Sequence, residues 1–234
     1  MKTIGLLGGM SWESTIPYYR IINETIKNCL GGLHSAKIVM HSVDFHDIEI
    51  LQRTGRWEEC GRILAQAASS LEQAGAELLV ICTNTMHKVA PAIEQAVSIP
   101  LLHIVDPTAA AVKKAKISTV GLLGTRFTME EDFYIDRLRQ KHGLTILVPE
   151  QYDRLEIHRV IFDELCVGTI VESSRSEYHR IIDRLIAQGA QGIILGCTEI
   201  SMLVKPAKIP VPVFDTTSLH AEYAALRALN EEMV

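Results

Sequence analysis

The architecture follows from the stretch Gly189-Ala190-Gln191-Gly192-Ile193-Ile194-Leu195-Gly196-Cys197-Thr198-Glu199. Its apolar run, 192–195, has no polar face to show water, so it reads as a strand buried on both sides in a parallel sheet. Gly196-Cys197-Thr198 then stands at the strand's carboxyl end, where open α/β sheets bind ligands. The pattern occurs once before, as Gly75-Ala76-Glu77-Leu78-Leu79-Val80-Ile81-Cys82-Thr83-Asn84-Thr85. Matching Gly75 to Gly189 sets Thr83 opposite Cys197.

Outward from that pair, strands and helices alternate. A strand over 3–8 runs into a glycine turn, and Ser11 is placed to cap a helix to about 27. A strand over 37–45 is followed by a polar loop through Gly55. The spacing of Ile63, Leu64, Ala67 and Leu71 predicts a helix over 58–73. Then come a strand over 77–82, a turn at 83–85, a helix over 87–97, a strand over 100–106, and a helix opened by Pro107. Thr119-Val120-Gly121-Leu122-Leu123-Gly124 next repeats Thr3-Ile4-Gly5-Leu6-Leu7-Gly8 at five of six positions. A strand over 145–148 and helices over 154–165 and 174–188 echo the first half. The strand 209–215 mirrors 99–106, and a last helix covers 218–229.

Alternation of this kind implies parallel sheets with helices on both faces. The fold class is therefore α/β, as two similar lobes related by duplication about a pseudo-twofold axis. Residues 1–105 with 213–234 are assigned to the first lobe and 106–212 to the second. The cleft between the lobes is the expected ligand site.

Bulk composition narrows the function. Hydrophobic residues make up 47% and charged residues 22%, the profile of a globular chain. A formal net charge of -5 gives no surface for nucleic acid or an anionic membrane. No apolar run approaches the ~20 residues of a membrane span, and no signal-peptide pattern opens the chain. The five cysteines, an odd number, match neither zinc nor disulfide spacing, so reduced thiols and a cytoplasmic home are the expectation. Cys29, Cys60 and Cys82 are read as core or half-buried positions.

With the lobes face to face, Thr83 and Cys197 would reach one carbon from opposite sides. Inverting a stereocentre needs that: one group removes a proton to leave a planar carbanion, and the other returns one to the far face. Asn84, Thr85, Thr125 and Thr198, with backbone N–H groups at helix starts, are candidates to hold a carboxylate. Met10 and Ser11 are read as the rim of the cleft. Gly8-Gly9-Met10-Ser11 lacks both the third glycine of a dinucleotide loop and the Gly-Lys-Ser/Thr of a P-loop. As a base, the Cys197 thiol needs a depressed pKa, which a neighbouring helix N-terminus favours. No lysine lies in a pyridoxal-phosphate context and no cluster has metal spacing, so no cofactor is expected.

Gly5-Leu6-Leu7-Gly8-Gly9-Met10, Thr83-Asn84-Thr85-Met86-His87 and Gly196-Cys197-Thr198-Glu199 together resemble the aspartate/glutamate racemase family, over essentially the whole chain. The resemblance is nearest to the bacterial broad-specificity amino-acid racemase branch. It implies a cofactor-independent two-base racemase acting on free amino acids, Cys197 working on the L-enantiomer side, and a homodimer. Hydantoin racemases, maleate isomerases and arylmalonate decarboxylases share the general fold, so decarboxylation or isomerisation of small carboxylates is an alternative. A binding protein that has lost catalysis is another.

Two departures from the family pattern matter. Thr83 stands where most relatives carry cysteine, and a hydroxyl is too weak an acid to be a resting base near neutral pH. Thr83 is therefore expected to be a weak proton partner or a helix cap. Cys82 is expected to point into the core, because neighbouring strand residues face opposite ways. In addition, two positions that hold cations in aspartate-selective relatives are Cys166 and Ile48 here. Gln52 and Arg53 lie in the same loop as Ile48 and are the candidates to compensate. An unpaired, desolvated side-chain carboxylate is costly, which favours neutral or varied substrates. His87 reads as a structural hydrogen-bonding residue.

Overall fold

A computed structural model of the chain describes residues 1–230. Two compact units emerge, Met1–Ile104 with the chain from His220 on, and Val105–Leu219.

The first unit runs β1 (Ile4–Gly8), α1 (Trp12–Leu30), β2 (Ile38–Ser42), α2 (Phe45–Arg53), α3 (Trp57–Gln73) and β3 (Leu78–Ile81). A 3-10 turn (Thr85–Val89), α4 (Ala90–Glu94) and β4 (Leu101–Leu102) complete it. The sheet order is β2-β1-β3-β4 and its pairings are parallel. Alternation along the strands sends residues to two separate cores. Leu7, Leu79 and Ile81 pack with Cys60, Leu64, Ala67, Ala68 and Leu71 of α3. Ile4, Leu6, Leu78, Val80 and Cys82 pack on the other side with Tyr18, Ile22 and Ile26 of α1. Each large side chain so buried stabilises the unit by about 1.5–3 kcal/mol.

The second unit runs α5 (Val105–Lys114), β5 (Thr119–Gly124), α6 (Arg126–Glu130), α7 (Asp132–Asp136), β6 (Thr145–Leu147), α8 (Gln151–Asp163), α9 (Glu172–Ala187), β7 (Ile193–Gly196), α10 (Ile200–Leu203) and β8 (Val213–Asp215). Its sheet order, β6-β5-β7-β8, again all parallel, repeats that of the first. The apolar face of α9, Tyr178, Ile181, Ile182 and Leu185, is buried at helical spacing. The last helix, α11 (Thr216–Ala228), contains the division between the units at 219/220. Ala221, Ala224, Ala225 and Ala228 join the first unit's α1-side core. Among the described residues no helix is long and apolar enough to cross a membrane.

Several expected boundaries shift. The segment after β2, expected as a loop, is helix α2, started by Asp44, whose Oδ1 accepts the His46 N–H at 3.0 Å. β8, assigned above to the first lobe, pairs with β7 in the second sheet. The strand expected through Asp106 stops at Leu102, and helix α5 begins at Val105. Asp106 thus lies in that helix's first turn, where an acidic residue suits the helix dipole. It accepts both arms of Arg137 (2.9 and 2.7 Å), Lys141 (3.0 Å) and His142 (2.9 Å). Burial alone would raise its pKa, but those hydrogen bonds hold the carboxyl well below the usual range. Cys29 is exposed rather than core.

Candidate active site

Sheet register makes the match between the two key positions structural. Gly5 of β1 pairs with Leu79 of β3, and Gly121 of β5 pairs with Ile193 of β7. β3 and β7 hold the same place in their sheets. Counting four residues on from Leu79 and from Ile193 arrives at Thr83 and Cys197. Each follows the carboxyl end of an interior strand, and each is buried, at 8% and 6% exposure.

In the first unit, Met10, Ser11, Asn84 and Thr85 are buried beyond the carboxyl ends of β1 and β3. A Cβ on Gly9, whose φ is +89°, would strike the Val43 carbonyl, so only glycine allows this turn. Ser11 holds the N-cap position of α1 in extended backbone, and its carbonyl accepts the hydroxyls of Ser14 and Thr15, each at 2.9 Å. The cap of the 3-10 turn after β3 is Asn84, not Thr83. The Thr83 carbonyl instead accepts from His87 Nδ1 at 2.9 Å, while His87 Nε2 accepts the Ile104 N–H at 3.2 Å. A carbonyl can only accept and an amide N–H only donate, so these two bonds fix His87 as the neutral Nδ1–H tautomer. His87 therefore positions the backbone at Thr83. Cys82 lies in the α1-side core, where burial pushes its thiol far above the ordinary range.

Gln52 lies inside α2, with Nε2 donating to Met86 Sδ at 2.9 Å and a buried Oε1 that has no partner. Ile48 is fully enclosed. Arg53 is on the outer side of α2, paired with Glu49 at 3.2 Å, so it does not stand in for the missing cation.

In the second unit, Thr125 caps α6, its Oγ1 accepting the Thr128 N–H at 3.3 Å. Cys197 directly follows Gly196, where a Cβ would lie 2.8 Å from Leu122 Cδ1 and 3.0 Å from the Leu123 carbonyl. The small residue before the cysteine is thus imposed by the close approach of β5. Thr216 steadies the strand exit by donating to the Leu195 carbonyl at 2.8 Å.

Glu199, part of the motif around Cys197 but given no role from the sequence, is 3% exposed. Its Oε2 accepts from Cys197 Sγ at 3.0 Å and from Thr198 Oγ1 at 2.6 Å. Its Oε1 accepts from the half-buried Cys166 Sγ at 3.7 Å. Burial, then the Glu199 charge and Cys166, push the Cys197 thiol well above its ordinary pKa, against a backbone hydrogen bond from Glu199 that favours thiolate. The depressed pKa expected from a helix N-terminus is therefore absent: burial and the Glu199 charge prevail, and α10 has only four residues. Cys166 is raised likewise, by burial and by Glu199. Among the described residues, no group of three or more His, Cys, Asp or Glu is arranged to hold a metal ion.

A solved structure described as a putative Asp/Glu racemase from Yersinia pestis is 58% identical, at a TM-score of 0.91 over 98% of this chain and 100% of that one. An aspartate racemase homologue from Pyrococcus horikoshii OT3 is 34% identical, at a TM-score of 0.83 over 98% and 100%. The broad specificity amino-acid racemase RacX of Bacillus subtilis (strain 168) is 23% identical over 227 residues, 94% of this chain and 95% of that protein. The Asp/Glu/hydantoin racemase family model matches residues 7–224, nearly the whole chain, and so the protein belongs to that family of racemases.

Proposed function

We propose that this isomerase racemises free α-amino acids without a cofactor, with Cys197 as the principal base and Thr83 as a weak partner on the opposite face of the α-carbon. The observation that carries the reading is the equivalence of Thr83 and Cys197 at the exits of matched strands. In this reading Cys197 takes the α-proton of an L-substrate, the electron pair delocalises into the carboxylate, and a proton returns through the Thr83 hydroxyl or a water it holds. Asn84, Thr85 and the backbone at the strand exits bind the substrate carboxylate, while Met10, Ser11, Gln52 and Cys166 shape the rest of the site. Having Cys166 and Ile48 at the two cation positions favours neutral or varied side chains. The solved relatives described by Asp/Glu or aspartate keep acidic substrates in the comparison.

Cα hydrogen–deuterium exchange in D₂O, followed by NMR, tests this on both enantiomers of Asp, Glu, Arg, homoserine and Met. Exchange that disappears in Cys197→Ser is the expected result, and the ranking of substrates identifies the side chain. Absence of exchange with every amino acid would sink the reading. Decarboxylation of a small dicarboxylate would then take its place, because a single cysteine of the two expected positions suits one-sided protonation.

A homodimer and a cytoplasmic location belong to the same proposal. All five cysteines are free thiols, as a reducing compartment favours. Trp12, Ile16 and Tyr19 of α1 and Met40 of edge strand β2 expose large apolar surface, which we assign to a second copy. Sedimentation velocity of Tyr19→Glu decides it: a shift to monomer supports the assignment, and an unchanged dimer refutes it.

A further inference from the structure

The thiol assigned above as a base is protonated at rest, so something must take its proton before it can act. We propose that Glu199 is that acceptor, forming with Cys197 a thiol–carboxylate dyad in which Glu199 is a positioning and proton-holding residue. This rests on the reading of Cys197 as a base.

The geometry supplies both halves of the exchange. Cys197 Sγ donates to Glu199 Oε2 across 3.0 Å, and the Glu199 backbone N–H in turn donates to the sulfur. Moving the proton breaks the S–H bond, leaves the electron pair on sulfur and forms O–H on Oε2. No proton enters or leaves the dyad. The resulting thiolate keeps the backbone N–H donor, and the neutral carboxylic acid can donate back to it. Two further donors hold the carboxylate in place, Thr198 on the same oxygen and Cys166 on the other. Side chains from the neighbouring elements do not displace it. Cys166, from the turn Leu165–Val167 after α8, keeps its own proton, raised by burial and by Glu199 itself. Tyr178 of α9 is within electrostatic reach of Cys197, but burial holds it protonated and its hydroxyl donates to the Ile157 carbonyl at 3.0 Å. Glu156, Glu164 and Arg159 of the same neighbourhood act on Tyr178.

A dyad has a pH signature that a merely structural carboxylate lacks. While the pair shares one proton, the fraction present as thiolate and carboxylic acid does not change with pH. Alkylation by iodoacetamide should therefore be slow and flat between about pH 6 and 8. In Glu199→Gln the thiolate forms only by losing its proton to water, so the rate should climb about tenfold per pH unit.

Site-resolved alkylation measured by peptide mass spectrometry tests this on the full chain, with the exposed Cys29 as reference thiol in the same sample. A plateau for Cys197 in the native protein, replaced by the tenfold slope in Glu199→Gln and restored in Glu199→Asp, is the expected result. A tenfold slope in the native protein, or a plateau that survives Glu199→Gln, overturns the dyad. Should Glu199→Gln fail to fold, the native profile and Glu199→Asp still decide. The readout needs no substrate. A plateau without Cα exchange keeps the dyad and removes the racemase reading, whereas exchange without a plateau does the reverse.

Discussion

A thiol is a stronger acid than an alcohol hydroxyl, and that difference in chemistry between positions 197 and 83 sets the direction of the proposed reaction. A protonated hydroxyl can pass a proton on but cannot take one from carbon near neutral pH, whereas a thiol with a local acceptor can. L-substrates should therefore exchange faster than D-substrates. Thr83→Cys places a thiol at the equivalent strand exit, on a backbone already held by His87 at 2.9 Å. We expect it to raise Cα exchange of D-enantiomers by about tenfold or more while L-exchange is retained. NMR in D₂O reads both rates, and an unchanged D-rate would count against Thr83 as the opposite-face partner. Cys82 cannot substitute for that thiol, because it faces the α1-side core.

The strand exits were legible in the sequence because burial on both faces leaves an unbroken apolar run, and the same run occurs twice with the same flanking residues. Helix α2 was not. Its buried positions are Ile48, Leu51 and the polar Gln52, a stripe too short and too mixed to show a helical period. Its start signal, Asp44, is shared by turns and caps alike. Strand β4 was overread for a related reason. Apart from His103, apolar residues continue to Val105, but Asp106 and Pro107 form the first turn of α5, and pairing with Leu79–Val80 reaches only to Leu102. β8 was placed with the wrong lobe because repeat matching locates a strand without naming its sheet. The site divides in the same way. Thr83 and Cys197 follow from duplication, which is a sequence property. Glu199 stands two residues after Cys197 in the sequence, but that its carboxylate turns back onto the thiol, and meets Cys166 thirty-three residues earlier, is set by the fold.

At the scale of the whole chain, two units built on one strand order give a protein whose buried ionisable groups lean one way at high pH. Burial raises Cys82, and burial with Glu199 raises Cys197 and Cys166. A group whose folded pKa is raised contributes stability that is complete below its unfolded pKa and is lost as pH climbs toward the folded value. An unfolded thiol ionises near about 8.5, so above that point the unfolded chain releases protons that the folded chain keeps. Unfolding free energy should therefore fall as pH rises from about 8.5, by up to about 1.4 kcal/mol per pH unit for each fully enclosed thiol. Tyr134 and Tyr178, raised by burial, add to the decline above about pH 10. Urea unfolding at a series of pH values from 8 to 10 measures the slope, and Cys82→Ala isolates one share of it. That thiol is raised by burial alone and takes no part in the proposed chemistry. Its removal should flatten the decline by the single-thiol amount, whereas a slope identical to the native one would show that Cys82 ionises as readily folded as unfolded.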